Sequence, residues 1–364
     1  MARFTRVQVN QSTWEFPDIY EIVRPMGEGS FGQVARMRLL GGQMDDVAMK
    51  KLVQPFEREE DAKGAYREIR LLKHMDHRNV ISLLHVFHPP LQGNDFQQVY
   101  LVTQLMDENL HRFSRSNRIS QYQIRYILYQ ILRGLRYIHS AGVLHRDLKP
   151  GNIAINQNME VRILDFGLAR LSSKNMSDYV GTVWYRAPEL LFLRDQYTNA
   201  IDMWSVGCIL AELISGHVLF PGDCYFNQLE RLLDIMGSPS EEFISGINMK
   251  HSRNYLEKYG YREKRHFPQM FPNADPLALD LMEEMLEMLP ENRITADEAI
   301  NHPFLRDFIE PHHRDEDLAP AYDQNFENMV LPVNCWKELI SHEIQNFRPP
   351  PFYAEALERS YMQQ

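Results

Sequence analysis

The chain has 364 residues, 44% of them hydrophobic, which suffices for two lobes with a large core and is too apolar for a disordered segment. Its formal net charge of −10 argues against a general nucleic-acid binder or an anionic-membrane protein, both of which need basic surface, and favours basic partners. Three scattered cysteines, Cys208, Cys224 and Cys335, exclude a disulfide framework or a zinc site of CxxC spacing.

Residues 1–19 read as an N-terminal extension, with no charged region leading into an apolar leader. From residue 20 to residue 106 the pattern is mainly short strands with one helix. In "QVARMRL", Ala35, Met37 and Leu39 alternate with Val34, Arg36 and Arg38, the period of a strand with one buried face. The helix is "DAKGAYREIRLLKHM"; a loop around "HPPLQGNDF" and a last strand, "QVYLVTQLM", follow. A hinge is expected near Gln104 to Glu108. From Gln121 the character changes: Ile124, Ile127, Leu128, Ile131, Leu132, Leu135 and Ile138 form a broad apolar helix face closed by Gly142. Further helices are expected near residues 199–216, 226–236, 275–288 and 295–300. The most apolar stretch, "VGCILAELI", contains Glu212 and is too short to span a bilayer, so a soluble intracellular protein is expected.

The predicted class is therefore α+β, with a small β-rich lobe over 20–106 and a larger, mainly helical lobe over 107–308. Residues 309–364 form an extension that packs back on these lobes, with an acidic cluster, a helix pattern around "CWKELISHEI", and "RPPP". The prolines read as a stiff extended strap on the surface, with an SH3-type ligand as the lesser alternative.

The chemistry begins with "MGEGSFGQV", where Gly27, Gly29 and Gly32 allow backbone amides to approach phosphate oxygens without a Cβ in the way. A dinucleotide fold would continue into a helix; a strand follows here, which favours a hairpin flap over a nucleotide. In "VAMKKL", Lys50 lies between apolar neighbours, and a buried ammonium needs a partner. Glu68, beside the inward stripe of its helix, is the candidate. "VLHRDLKPGNIAI" and "ILDFGLAR" then supply Asp147, Lys149, Asn152 and Asp165 in the order that phosphoryl transfer from ATP requires. Asp147 can orient an attacking hydroxyl and accept its proton. Lys149 can offset charge on the transferred group, and Asn152 and Asp165 offer hard oxygen ligands to Mg2+.

These motifs resemble those of eukaryotic protein kinases, and more narrowly of stress-activated mitogen-activated protein kinases. The similarity extends from "QSTWEFPDIY" through "YQILRGLRYIHSAGVLHRDLKPGN" and "DMWSVGCILAEL" to "VLPVNCWKELI". It implies a two-lobed kinase fold. It also implies ATP binding by Met26, Gly27, Glu28, Gly29, Ser30, Phe31, Gly32, Gln33, Val34 and Lys50, with Thr103 guarding the pocket behind the adenine and Met106 offering hinge backbone bonds. Serine or threonine substrates followed by proline are implied, as are structural roles for Asp202 and for a Glu189–Arg293 pair. The expected setting is a monomer of the cytoplasm and nucleus that binds neither nucleic acid nor membrane.

In the family a threonine and a tyrosine one glycine apart are phosphorylated by an upstream dual-specificity mitogen-activated protein kinase kinase. Here "LDFGLARLSSKNMSDYVGTVWYRAPELL" places Ser177 and Tyr179 on either side of Asp178. Each phosphate adds about −1.5 to −2 charge near pH 7, and arginine forks bind it through charge-assisted bonds. Arg67, Arg146 and Arg170 come from three segments that one phosphate on Ser177 could tie together. Val183 replaces an arginine that would hold phosphotyrosine together with the residue matching Arg186, which weakens the tyrosine half of the switch. Gln157 and Asn158 replace acidic docking residues, leaving Asp315, Glu316 and Asp317 for basic docking peptides and phosphatases. A weakly active or pseudokinase-like scaffold is the alternative; the intact Lys50, Glu68, Asp147, Asn152 and Asp165 speak against it.

Overall fold

In the computed structural model, residues 3–29, 32–41, 44–52, 54–90, 95–166, 183–192, 197–247, 250–309 and 318–362 are described. The chain divides into two units. The first comprises Met1–Met106, Asp165–Arg170 and Tyr322–Gln364, and the second Asp107–Leu164 and Leu171–Ala321. Among the described residues no helix is long and apolar enough to cross a membrane.

The first unit opens with a hairpin, β1 (Phe4–Val9) and β2 (Ser12–Pro17). Its turn residues, Asn10 and Gln11, both take positive φ, 45° and 64°, which matches the twist of a two-residue hairpin without using glycine. Trp14 and Phe16 alternate inward and are fully buried. Lys51 fastens the hairpin, donating to Ser12 Oγ at 2.8 Å and to the Thr13 carbonyl at 2.7 Å. A five-stranded antiparallel sheet follows, of order β3 (Tyr20–Gly29), β4 (Gly32–Leu39), β5 (Val47–Leu52), β7 (Tyr100–Gln104), β6 (Leu83–Phe87). Ala35, Met37 and Leu39 are buried along β4, as their alternation predicts. Helix α1 (Glu59–His74) carries three acidic residues in its first turn, where they complement the helix dipole.

The second unit contains a small sheet of order β10 (Val161–Ile163), β9 (Ile153–Ile155), β8 (Glu108–Asn109). Its helices are α2 (Leu110–Ser116), α3 (Gln121–Ser140), α4 (Pro188–Leu191), α5 (Ala200–Ser215) and α6 (Tyr225–Met236). They continue with α7 (Glu241–Ser245), α8 (Lys250–Tyr259), α9 (Phe267–Met270), α10 (Pro276–Met285) and α11 (Ala296–Ile300). A capping box starts α3, with Ser120 Oγ accepting from the Gln123 N–H and Gln123 Oε1 accepting from the Ser120 N–H. Gly142, at φ 75°, ends the segment where its sequence expects. From Ala200 to Leu213, α5 is buried on every side and serves as the unit's central post. Gln130 of α3 is buried and pins the β9–β10 turn, donating to the Met159 carbonyl at 2.7 Å and accepting from the Val161 N–H at 3.0 Å.

The extension returns the chain to the first unit as α12 (Val333–Gln345) and α13 (Pro351–Met362). Tyr66 of α1 packs against Phe326 and Trp336, with ring centroids 5.1 and 5.5 Å away. Pro351, expected to continue an extended strap, instead opens α13. Its fixed φ suits the first helical position, where the missing N–H has no partner to lose. Behind it Tyr353, Ala356, Leu357 and Ser360 recur at helical spacing and are buried. Tyr353 reaches the core, where the Tyr20 hydroxyl lies 2.9 Å from the Tyr353 hydroxyl and 3.0 Å from His85 Nδ1.

Burial lowers the His85 imidazole from its ordinary 6.5 to about 4. The unfolded chain therefore takes up a proton that the native fold refuses, and stability should fall as pH drops from about 6.5 to about 4. Thermal melts of wild type and His85→Gln across this window are expected to converge as the pH falls. A melting difference independent of pH would show that burial does not hold the ring neutral.

Candidate active site

Strand β5 carries Lys50 with its stem under Gly32. A Cβ built on Gly32 would sit 2.7 Å from the Lys51 carbonyl oxygen and 3.0 Å from Lys50 Cε, so no side chain fits there. Gly27, on the facing strand, has nothing within 4 Å of a built Cβ. Protein packing therefore does not dictate that glycine, and the space it leaves suits close approach by a ligand. Glu28 and Gln33 pair one step in from the tip of this hairpin and are joined by a 2.9 Å bond from Gln33 Nε2 to Glu28 Oε1. Met26 is exposed, Val34 lies opposite Gly27 in the register, and Thr103 pairs with Ala48. Gly29 ends β3, and Met106 is the last residue of the first unit's opening segment. Ser30 and Phe31 lie outside the described residues.

Lys50 Nζ donates to Glu68 Oε1 at 2.7 Å and to Asp165 Oδ1 at 3.4 Å. Burial opposes the ammonium charge, but the Glu68 and Asp165 carboxylates outweigh it and hold the lysine above its ordinary value. Three segments of the first unit thus meet at one cation. Asp165 takes φ 63°, a left-handed conformation that aspartate tolerates better than most residues.

In the second unit, Asp147, Lys149 and Asn152 form a cluster of their own. Lys149 Nζ donates to Asp147 Oδ2 at 2.6 Å, and Asn152 Nδ2 donates to the same oxygen at 2.8 Å and to the Asp147 carbonyl at 2.8 Å. With its NH2 group so committed, Asn152 keeps its amide oxygen for other work. His145 orients the loop, accepting the Asp147 N–H at Nδ1 (3.3 Å) and lying 2.8 Å from the Leu164 carbonyl at Nε2. These two bonds select the Nε2–H tautomer.

Arg146 has φ 69°, and Asp202 at the start of α5 holds this strained point in place. Its carboxylate accepts the His145 N–H at 2.9 Å and the Arg146 N–H at 2.8 Å, and lies 2.9 Å from His139 Nε2. Burial works against its charge, but His139 and the backbone donors hold the carboxyl below its ordinary value. Glu189 and Arg293 form a fully buried bidentate pair, at 2.7 and 3.0 Å.

A protein kinase domain matches residues 20–305. Over 350 residues the chain is 67% identical to a Drosophila melanogaster protein bearing the name mitogen-activated protein kinase 14C, covering 96% of this chain and 98% of the relative. It is 50% identical to mitogen-activated protein kinase p38a of Drosophila melanogaster, covering 98% of this chain and 97% of the relative. It is 43% identical to mitogen-activated protein kinase 14 of Xenopus laevis, covering 98% of each chain. The chain belongs to the mitogen-activated protein kinase family. It is accordingly a protein serine/threonine kinase of the stress-activated type.

The kinase's expected phosphate ligands are placed differently from one another. Arg67 is buried, and its Nε and Nη2 donate to the two carboxylate oxygens of Glu327, the second at 2.7 Å. A phosphate that recruits Arg67 must draw it from that carboxylate. Arg146 lies over the Tyr197 ring at 5.4 Å. Arg186 donates its backbone N–H to the Val183 carbonyl at 3.1 Å. Arg170, Ser177, Asp178, Tyr179, Asp315, Glu316 and Asp317 lie outside the described residues. Gln157 is exposed and donates its N–H to Asp107 Oδ2 at 2.9 Å.

Sequence reasoning missed the positioning roles of His145 and His139 and the hold of Glu327 on Arg67. The first was within reach, because His145 adjoins Arg146 and Asp147 in "VLHRDLKPGN". For Asp202→Ala, which strands two buried N–H groups and His139, we expect a loss of about 3 to 5 kcal/mol in stability. Peptide phosphorylation should fall at least about tenfold in kcat/KM as the Asp147 loop loses its anchor. Thermal melting and steady-state kinetics check both, and unchanged values would sink the anchoring role.

Proposed function

We propose that this kinase is catalytically active and transfers the γ-phosphoryl group of ATP to serine or threonine hydroxyls followed by proline. The observation that carries the reading is the Asp147 cluster: a carboxylate oxygen held by Lys149 and Asn152, with its loop locked by His145 and Asp202. Such an arrangement suits a group that aligns an acceptor hydroxyl and takes its proton.

Lys50, kept charged by Glu68, suits the α- and β-phosphates. The space at Gly27 fits a nucleotide, and Asn152 in the second unit and Asp165 in the first each offer a hard oxygen of the kind that Mg2+ prefers. Magnesium, when bound, neutralises charge that develops on the phosphate oxygens. Lys149 offsets charge on the group in transit, and Asp147 receives the proton from the acceptor.

Regulation is proposed to run through Ser177 and Tyr179, modified by an upstream dual-specificity mitogen-activated protein kinase kinase in a stress-activated cascade. Ser177 carries most of the switch, because Val183 brings no guanidinium to a phosphotyrosine. Basic docking peptides and phosphatases are proposed to engage Asp315, Glu316 and Asp317, and the kinase to act as a monomer in cytoplasm and nucleus. Val183 also favours a second reading, a weakly active scaffold of the same pathway.

The test is labelled-phosphate transfer to a serine-proline peptide. Asp147→Asn is expected to lower kcat by about a hundred- to ten-thousandfold, the usual weight of a positioned base. A cellular role that survives this substitution would favour the scaffold. In the doubly phosphorylated protein, Val183→Arg should raise activity, by up to about a hundredfold for one added charge-assisted bond. Phosphosite mapping with kinetics checks this, and an unchanged rate would remove Val183 as the limiting residue.

A further inference from the structure

The ladder that carries the glycine-rich hairpin is irregular. Between β3 and β4 the register shifts once between Ile22 and Arg24 and again between Pro25 and Gly27, and such irregularities bend a strand and disrupt its pairing. Beyond the second shift Gly27 pairs with Val34, Glu28 with Gln33 and Gly29 with Gly32. The ladder alone therefore does not fix the angle at which the hairpin leaves the sheet, and a further tie has a use.

Successive strand residues point to opposite faces. Gly27, Val34 and Lys50 share one face, because Val34 lies opposite both of the others in the register. Glu28, Gln33 and Lys51 form the next row, on the other face, where the N-terminal hairpin lies. Gln33 commits both ends of its amide there: Oε1 accepts the Trp14 indole N–H at 3.2 Å, and Nε2 donates to Glu28 Oε1 at 2.9 Å. Trp14 is a firm anchor. It is fully buried beside Tyr100, with ring centroids 5.7 Å apart, and the Tyr100 hydroxyl accepts the Glu15 N–H at 2.8 Å. Lys51 ties the same hairpin through Ser12 and Thr13. Close packing does not replace these bonds, since a cavity of about 390 Å³ opens beside Ser12, Glu28, Gln33 and Lys51.

We propose, resting on the reading that the space at Gly27 takes a nucleotide, that Gln33 is a positioning residue for ATP, through which the N-terminal hairpin holds the glycine-rich flap at its binding angle. Glu28 makes the brace necessary. Its carboxylate has the same sign as the phosphates, it is exposed, and Gln33 is its hydrogen-bond partner among the described residues. Held by Gln33, that charge stays on the outer face while Gly27 is turned to the phosphates. Released, the flap is free to twist about its irregular ladder and bring the carboxylate toward them, where like charges repel. The glycines and Lys50 meet the nucleotide, and Gln33 and Glu28 act from behind them.

The test is equilibrium titration of the full chain with Mg2+ and a fluorescent N-methylanthraniloyl ATP, together with hydrogen exchange of the β1–β2 amides with and without ATP. Gln33→Leu removes both bonds without adding charge, and Gln33→Glu also sets two carboxylates directly opposite each other. Each is expected to weaken nucleotide binding about tenfold, the weight of one charge-assisted bond. Adding Glu28→Gln to Gln33→Glu exchanges donor and acceptor across the pair, leaves a carboxylate oxygen for Trp14, and should return the affinity to within about threefold of wild type. ATP should slow exchange in Ser12–Pro17 of wild type and of the exchanged pair but of neither single variant, because coupling between two sites is reciprocal. Melting curves confirm that each variant is folded. Wild type that binds no nucleotide would overturn the nucleotide reading along with the brace. Wild type that binds, with single variants of equal affinity, an exchanged pair that recovers nothing, or hairpin exchange indifferent to ATP, would overturn the role of Gln33 alone.

Discussion

An ammonium group placed among apolar strands is tolerated only if carboxylates come to it, and Lys50 obliges the first unit to bring two. Glu68 arrives on α1 and Asp165 on the segment that returns from the second unit's sequence. The pair costs desolvation on both sides, so its geometry has to be good. Here it is, with the closer contact at 2.7 Å and the lysine stem lying so near Gly32 that no side chain fits at that position. The position of α1 is therefore a condition for keeping Lys50 charged and correctly aimed.

Because α1 has that duty, what grips its other faces bears on the site. Lys63 donates to the Glu327 and Met329 carbonyls, Arg67 to the Glu327 carboxylate, and Lys73 to Glu343. Tyr66 adds aromatic contacts to Phe326 and Trp336. The C-terminal extension thus fastens the helix at its beginning, middle and end. Arg67 and Glu68 are neighbours in sequence with opposite commitments, one to the extension and one to Lys50. Any event that takes Arg67 from Glu327 acts on the helix that presents Glu68.

Local rules made much of this legible. Alternation in β4, the stripe and capping box of α3, and the left-handed Gly142 each follow from a few adjacent residues. The Lys50–Glu68 pair was readable because a buried cation demands a carboxylate and the nearby helix supplied one. Two elements were hidden by their punctuation. The N-terminal hairpin turns on Asn10 and Gln11 with no glycine to announce it, and α13 starts at the end of a proline run that resembles an extended strap. Long-range choices were beyond such rules. Nothing in the residues around Arg67 says that its partner is 260 positions away, and nothing around Tyr20 points to a hydroxyl 333 positions away. The strained φ of Arg146 depends likewise on Asp202, fifty-six residues on.

The separation of Tyr20 from Tyr353 bears on biosynthesis. Chains generally fold from the N-terminus as they leave the ribosome. Tyr353 and Leu357 belong to the same core as Trp14, Ile19 and Met37. The portion of the kinase translated first consequently cannot finish its interior until residues translated hundreds of codons later have emerged. During that interval its unfilled apolar surface is the part of the nascent polypeptide most in need of a chaperone.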